Sequence, residues 1–247
     1  MKREVRRSAA SLLKLVELLF FPSFCHLCAA PLDKTGERAV CHSCLSALTP
    51  RHGTVCLCCG RFLDSAGADH LCRKCLERPP DFSRQRSCGQ YGGVLKDLIL
   101  IYKYRRVSVL SRPLALYAEQ CLGSDTALWE GVDFIVPVPL HRKRKKERGF
   151  NQSELLAREM ARIKNVPMLD KGLVKVKNAP PQTSLEGRAR EANVRDAYAV
   201  KGGHKVRGKT VLVVDDVFTT GATLRECSHV LKKAGAREVR ALTLAQA

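Results

Sequence analysis

The C-terminal part of the chain alternates between apolar runs and helical patterns. Four consecutive apolar and mostly β-branched residues, Val211 to Val214, predict a buried strand. From about Thr223 to Ala234 apolar residues recur at helical spacing, and Gly235 follows where a helix end favours glycine. The residues from 238 to 245 predict a returning strand. The pattern therefore predicts a strand, a loop, a helix and a second strand in succession.

Another strand, loop and helix precede this unit. The segment 133–140 predicts a strand closed by prolines, and apolar residues return at helical spacing between 155 and 163. Upstream, a turn at Tyr91 leads into one predicted helix, and a further helix spans about 112 to 121. Alternation of this kind is typical of an α/β domain.

The loop after the strand at 211–214 combines carboxylates, hydroxyl groups and a glycine. Open α/β sheets bind ligands at the carboxyl ends of their strands, and the free N–H groups at a helix start favour a phosphate. Asp215 and Asp216 can accept hydrogen bonds from vicinal sugar hydroxyls or help to hold Mg²⁺. The predicted phosphate-binding residues are Thr219, Thr220, Gly221, Ala222 and Thr223. The segment predicts a site for a phosphorylated ribose; the alternative is solvated aspartates before an ordinary helix.

The loop of the upstream unit is strongly basic. Six of the seven positions from 142 to 148 are Lys or Arg. At a strand end opposite the carboxylates, they would suit a pyrophosphate leaving group. The alternatives are a solvated loop or a nucleic-acid patch. The pyrophosphate candidates are His141, Arg142, Lys143, Arg144 and Arg148.

The stretch from 178 to 193 has no apolar periodicity, and Pro180, Pro181 and Gly187 argue against regular structure at its start. It is a candidate lid that would exclude water from a reactive centre. Its polar candidates, each of which has simple solvent exposure as the alternative, are Gln182, Arg188 and Asn193.

Eight of the twelve cysteines form an internal repeat. Two residues separate each close pair, twelve residues separate the two pairs of a set, and the second set lies 31 positions after the first. Four thiolates brought together by two such turns make a tetrahedral Zn²⁺ site, which stabilises a unit too short to fold unaided. Two sequential zinc ribbons are the first expectation, and a cross-braced pairing is the alternative. The predicted ligands are Cys25, Cys28, Cys41 and Cys44, followed by Cys56, Cys59, Cys72 and Cys75.

Composition adds constraints on the partners. The chain of 247 residues carries 43 Lys and Arg against 24 Asp and Glu, a net charge of +19, which indicates polyanionic partners. The first 24 residues predict an amphipathic helix, either packed on the protein or lying on a membrane surface, because Lys14 and Glu17 interrupt the apolar run. We expect no transmembrane segment and a cytoplasmic location. The predicted domains are residues 1–24, a zinc module at 25–80 and an α/β domain at 81–247.

At the acid pair and the Thr-Gly-Ala-Thr bend, the chain resembles type I phosphoribosyltransferases. The residue before the Thr-Gly pair is Thr219, where purine-salvage members carry Asp, and this argues against a purine-salvage reaction. The chain also resembles the ComF family, bacterial proteins linked to natural competence. The features that carry this resemblance are Pro137-Val-Pro-Leu, Arg148-Gly-Phe-Asn-Gln-Ser, Gln182-Thr-x-Leu, the segment from Arg188 to Asn193 and the paired cysteines.

That resemblance implies a type I phosphoribosyltransferase core, a parallel sheet flanked by helices, behind a small double zinc-ribbon module. It implies phosphoribosyl pyrophosphate as ligand, with Mg²⁺ and two structural Zn²⁺, and a process that takes up or uses external DNA. A helicase-like competence protein and single-stranded DNA are the implied partners. Two functions remain open at this point: a phosphoribosyltransferase, or a non-catalytic DNA-binding module that keeps the fold as a scaffold.

Overall fold

The computed structural model describes residues 23–32, 39–50, 53–64, 67–177 and 194–247. The chain divides into two compact units after Leu48. The boundary expected at residue 80 stays a prediction. Of the helix predicted over residues 1–24, residues 1–22 lie outside the described ranges, and Phe24 forms an isolated bridge instead. No helix within those ranges is long and apolar enough to cross a membrane.

The two cysteine repeats have matching local structures. A short helix begins directly after the third cysteine of each set: α1 (His42–Ser46) in the first and α2 (Arg73–Glu77) in the second. An isolated antiparallel bridge surrounds the first cysteine pair of each set, Phe24 with Pro31 and Val55 with Phe62. The sequence repeat is therefore also a structural repeat.

The larger unit contains a four-stranded parallel sheet. Its strand order is β1-β6-β5-β2, and a separate antiparallel pair joins β3 to β4. The strands in chain order are β1 (Arg84–Gln90), β2 (Phe134–Pro137), β3 (Leu173–Lys175), β4 (Tyr198–Val200), β5 (Thr210–Phe218) and β6 (Glu238–Gln246).

Helices connect and cover these strands. In chain order they are α3 (Gly93–Tyr104), α4 (Ser111–Leu122), α5 (Thr126–Trp129), α6 (Arg142–Arg148), α7 (Gln152–Lys164) and α8 (Ala222–Lys233). Four predicted helices are confirmed. The helix predicted after Tyr91 is α3, and those predicted at 112–121, 155–163 and 223–234 are α4, α7 and α8. The parallel sheet with flanking helices confirms the predicted fold class.

The core lies on both faces of the sheet because β5 is apolar throughout its first half. Val211 and Val213 belong to a buried cluster that includes Leu224 and Leu231 of α8. Leu212 and Val214 alternate with these residues, so they point to the opposite face of the sheet, and they are also fully buried. Helix α7 packs against β2 and β5. A strand buried on both faces reads as a continuous apolar run, which explains the pattern at 211–214.

Candidate functional site

A cleft of about 440 Å³ opens at the carboxyl ends of β2 and β5. This is the edge where parallel α/β sheets bind their ligands. The polar and charged side chains that line it are Tyr91, Lys103, Tyr104, Arg144, Arg148, Gln152, Ser153, Lys175, Tyr198, Asp215, Asp216, Thr219 and Thr223.

Strand β5 continues past the point where the apolar run predicted its end. It reaches Phe218, so Asp215 and Asp216 lie inside the strand rather than after it. The reason is the partner on one side: β6 pairs with β5 as far as Phe218. On the other side, β2 pairs only as far as Val214. The acid pair is therefore open toward the cleft on the β2 side.

The ladder between β2 and β5 stops because side chains capture its next two backbone groups. The N–H of Val138 still donates to the Val214 carbonyl at 2.9 Å. In a continuous parallel ladder the Val138 carbonyl would then accept from the N–H of Asp216. Instead that carbonyl accepts from Nδ2 of Asn151 at 3.0 Å, and the N–H of Asp216 donates to Oδ1 of Asp215 at 2.9 Å.

The two carboxylates have different partners. Oγ of Ser153 donates to Oδ1 of Asp215 at 2.8 Å, whereas Nζ of Lys103 lies 2.7 Å from Oδ1 of Asp216. Burial raises the pKa of Asp215 to about 7, and the neighbouring Asp216 carboxylate adds to this rise. Burial disfavours the Lys103 ammonium, but the Asp216 carboxylate more than offsets that effect and holds the pKa of Lys103 above its usual range.

The predicted phosphate segment forms a turn into α8. Gly221 adopts φ +81° and ψ 0°, in the left-handed region, directly before the first residue of the helix. Oγ1 of Thr220 accepts from the N–H of Ala222 at 3.3 Å. Of the five predicted residues, Thr219, Gly221, Ala222 and Thr223 line the cleft, whereas Thr220 does not. The helix N-terminus supplies donors and a favourable dipole for an anion there.

The basic segment at 142–148 is a helix, so the predicted loop is wrong. Helix α6 begins after His141, whose Nδ1 accepts from the N–H of Lys143 at 3.4 Å. Residues four positions apart share one face of a helix, and Arg144 and Arg148 accordingly line the cleft. His141, Arg142 and Lys143 are not among the residues that line it.

Arg148 is held in place from two sides. Its Nη1 donates to Oε1 of Gln152 at 3.1 Å, and its guanidinium lies 5.3 Å from the ring centroid of Tyr104. Such a contact stabilises a cation on an aromatic face and orients the planar guanidinium. The cleft that contains the acid pair therefore also contains a positioned cation.

Several cleft residues were not among the sequence-based candidates: Lys103, Ser153, Lys175 and Tyr198. Ser153 lies within the motif that carried the family resemblance, so that motif was the available signal. Lys103 belongs to α3, a helix for which no site residue was predicted. The predicted lid residues Gln182, Arg188 and Asn193 lie outside the described residues.

The cysteine sets form two compact sulfur clusters. Within each set all four Sγ atoms lie within 4.8 Å of one another. The Sγ–Sγ distances of 3.9 Å for Cys25–Cys44, 3.6 Å for Cys28–Cys41 and 3.7 Å for Cys59–Cys72 match the spacing of about 3.8 Å expected around a tetrahedral Zn²⁺ with 2.3 Å bonds. Each cluster draws on one repeat, which fits sequential ribbons and not a cross-braced pairing. The geometry supports two structural zinc ions.

The second ribbon is part of the larger unit. The buried guanidinium of Arg86, on β1, donates to the carbonyl oxygens of Cys56 at 3.4 Å and Leu57 at 3.2 Å. The backbone N–H of Gln85 donates to the Cys58 carbonyl at 2.7 Å. The four cysteines of this ribbon share one buried cluster with residues of the sheet and α8.

The cleft offers two carboxylates that suit Mg²⁺, although two are too few to hold the ion without further ligands. Mg²⁺ binds through one or two carboxylates together with substrate phosphates, rather than in a cage made only of protein groups. Asp215 and Asp216 offer two carboxylates beside the predicted phosphate-binding turn. They fit a metal that arrives with a phosphorylated substrate.

The fold and the cleft define the class of this protein: a phosphoribosyltransferase-type α/β domain preceded by zinc ribbons. Residues 148–247 match the phosphoribosyl transferase domain family, and residues 16–76 match the double zinc ribbon domain.

Whole-chain relatives narrow this class to one family. The DNA utilization protein YhgH of Escherichia coli is 32% identical over 226 residues, covering 90% of this chain and 96% of that protein. Competence protein F of Haemophilus influenzae is 30% identical over 92% of this chain and 99% of its own length. Competence protein ComFC of Bacillus subtilis is 26% identical over 84% of each chain. The chain belongs to the ComF family of competence and DNA utilization proteins, which confirms the resemblance seen in the sequence.

Proposed function

We propose that this protein is a ComF-type phosphoribosyltransferase that binds phosphoribosyl pyrophosphate with Mg²⁺ in the cleft. The observation that carries the proposal is a juxtaposition. One cleft contains the acid pair Asp215–Asp216, the N-terminal turn of α8 and the two inward cations of α6. These are the groups that a sugar, a 5′-phosphate and a pyrophosphate respectively require.

Each part of the ligand has a proposed partner. The 5′-phosphate binds at Thr219 and at Gly221 to Thr223, and the ribose hydroxyls donate to the two carboxylates. Arg144 and Arg148 bind the departing pyrophosphate. Mg²⁺, when bound, neutralises charge on the phosphate oxygens. An acceptor nucleophile forms a bond to C1 as the bond from C1 to pyrophosphate breaks and pyrophosphate leaves with the electron pair. Positive charge develops on the ribose during this step, and the carboxylates stabilise it.

Ligand-induced stabilisation tests this proposal. Phosphoribosyl pyrophosphate with Mg²⁺ at about a hundredfold excess over Kd adds about 2.7 kcal/mol, which raises the Tm by roughly 5 °C or more for a chain of this size. We expect Asp215→Asn with Asp216→Asn to abolish the rise. The matched control is Asp133→Asn with Asp170→Asn, two carboxylates that do not line the cleft. No shift in the wild-type protein would refute the proposal.

A second candidate function, binding of single-stranded DNA, is favoured by the outer face of α6. Arg142, Lys143, Lys145 and Lys146 are exposed and do not line the cleft. A row of exposed cations suits the phosphates of a nucleic-acid strand. In the proposed division, the inward cations serve the pyrophosphate and the outward cations serve DNA.

Two double variants with equal charge loss separate these functions. Arg144→Gln with Arg148→Gln should weaken phosphoribosyl pyrophosphate binding at least tenfold and leave DNA affinity nearly unchanged. Arg142→Gln with Lys146→Gln should do the reverse and lower the slope of log K against log salt by about 1.4. Calorimetry and fluorescence anisotropy give the two affinities. Equal effects of both variants on both ligands would contradict the division.

The relatives are named for competence and for DNA utilization, and we extend that process to this chain. We infer that it handles incoming DNA strands in the cytoplasm beside a helicase-like competence protein. None of the twelve cysteines, which all lie within the described ranges, forms a disulfide, and eight of them form the two sulfur clusters proposed to bind zinc. Thiolate ligands of this kind persist in a reducing compartment, which supports the proposed location.

A further inference from the structure

Lys103 is a largely buried cation that contacts the acid pair from a different element. It lies near the end of α3, and its side chain is 16% exposed, against 13% for Asp216. Their charged atoms are 2.7 Å apart, and both residues line the cleft. Helix α3 is far from β5 in sequence, so only the fold brings this pair together.

The surroundings fix the helix end that carries Lys103. Its backbone carbonyl accepts from Nε2 of Gln152 at 3.5 Å, and the hydroxyl of the preceding Tyr102 donates to the Gln152 carbonyl at 2.9 Å. Gln152 also binds Arg148. Lys103 therefore belongs to a connected set of groups that ends at a predicted pyrophosphate cation.

The pairing has a consequence for metal binding. Asp216 is one of two carboxylates that a divalent cation needs in this cleft. The Lys103 ammonium already neutralises the Asp216 carboxylate. It therefore repels an incoming divalent cation and occupies the oxygen that the cation would bind. A ligand that brings its own phosphates changes this balance, because the phosphates attract both the ammonium and the metal.

We propose that Lys103 is a positioning residue that acts as the resident counter-ion of Asp216 and excludes free divalent cations from the empty cleft. The metal then enters only together with the phosphates of the substrate, and Lys103 transfers its hydrogen bond to them. The proposal rests on the proposed function for the identity of the substrate, but its first half concerns the ligand-free protein alone.

The test measures Mn²⁺ binding to the zinc-loaded full chain without any phosphate ligand. Mn²⁺ is a hard, oxygen-preferring probe that can be followed by electron paramagnetic resonance. We expect Lys103→Met to bind Mn²⁺ at least tenfold more tightly than the wild type. The gain should disappear when Asp216→Asn is added. Lys103→Arg keeps the charge and should bind as weakly as the wild type.

Lys96→Met is the matched control, because Lys96 is exposed on the same helix and does not line the cleft. It removes the same charge and should leave Mn²⁺ affinity unchanged. Equal affinities for Lys103→Met, Lys96→Met and the wild type would overturn the proposal.

The wild-type protein provides a test that does not depend on the folding of any variant at Lys103. We expect its affinity for Mn²⁺ alone to be millimolar or weaker. Micromolar binding of free Mn²⁺ that Asp216→Asn removes would overturn the proposal. The outcome is separate from the proposed function, which fails only if phosphoribosyl pyrophosphate with Mg²⁺ does not raise the Tm.

Discussion

Gly221 shows how one residue shapes the turn that is predicted to bind phosphate. Its φ of +81° lies in the region that disfavours every residue with a Cβ, and a Cβ built there would lie 2.9 Å from the ring of Phe218. Phe218 is itself buried and lines the cleft. Backbone conformation and close packing therefore both require glycine at this position.

Replacement of this residue should affect stability and binding together. Gly221→Ala is expected to cost about 1–2 kcal/mol for the left-handed backbone and more for displacement of the Phe218 ring. Gly208→Ala is the matched control, because Gly208 has φ +70° but no atom within 4 Å of its Cβ position. Denaturant unfolding should show the larger loss for Gly221→Ala, and only that variant should lose phosphoribosyl pyrophosphate binding. Equal losses would contradict a role for Phe218.

At the scale of elements, the long periodic segments could be predicted from the sequence and the short polar ones could not. Helices α3, α4, α7 and α8 follow apolar spacing, and β6 is a returning strand as expected. Strand β1 was missed because its sequence, Arg-Gln-Arg-Ser-Cys-Gly-Gln, is mostly polar although most of it is buried.

Several buried polar groups of β1 bind partners on the same strand, on β6 and in the second ribbon. Nε2 of Gln85 donates to Oγ of Ser87 and to Oγ1 of Thr243, and Arg86 binds carbonyls of the second ribbon. A hydrophobic pattern cannot reveal a strand whose burial depends on such bonds. Helix α6 was missed for a similar reason, since a seven-residue segment with six cations shows no apolar periodicity.

The candidate site divides in the same way. The acid pair, the turn at Gly221 and the cysteine sets are contiguous or regularly spaced in sequence, so their grouping could be predicted. Lys103 and Ser153 reach the same carboxylates from α3 and α7. Their placement depends on tertiary packing. The family motif was the available signal for Ser153, and no local pattern indicated Lys103.

At the scale of the whole molecule, the cysteines of the two zinc ribbons differ in how deeply they are buried, although the ribbons share a sequence repeat. In the first set Cys28 is exposed and Cys44 is half-buried, whereas all four cysteines of the second set are buried. The second set also shares a cluster with the core of the larger unit. We therefore expect its zinc to be more strongly coupled to folding.

Chelation should release the two metal ions in two phases. The fast phase belongs to the first ribbon and should leave the Tm of the larger unit unchanged. The slow phase belongs to the second ribbon and should coincide with unfolding. Cys59→Ser should therefore lower the Tm by several degrees, whereas Cys28→Ser should change only the metal content. Metal analysis with calorimetry checks this, and the opposite order of release would contradict it.

The interrupted ladder between β2 and β5 has a consequence for engineering. Asn151, which captures the Val138 carbonyl, is buried and does not line the cleft. One partner in this interruption is therefore an amide behind the lining residues of the cleft. Directed evolution toward bulkier ligands should therefore begin at Asn151, which lies outside the lining, and keep the lining residues unchanged.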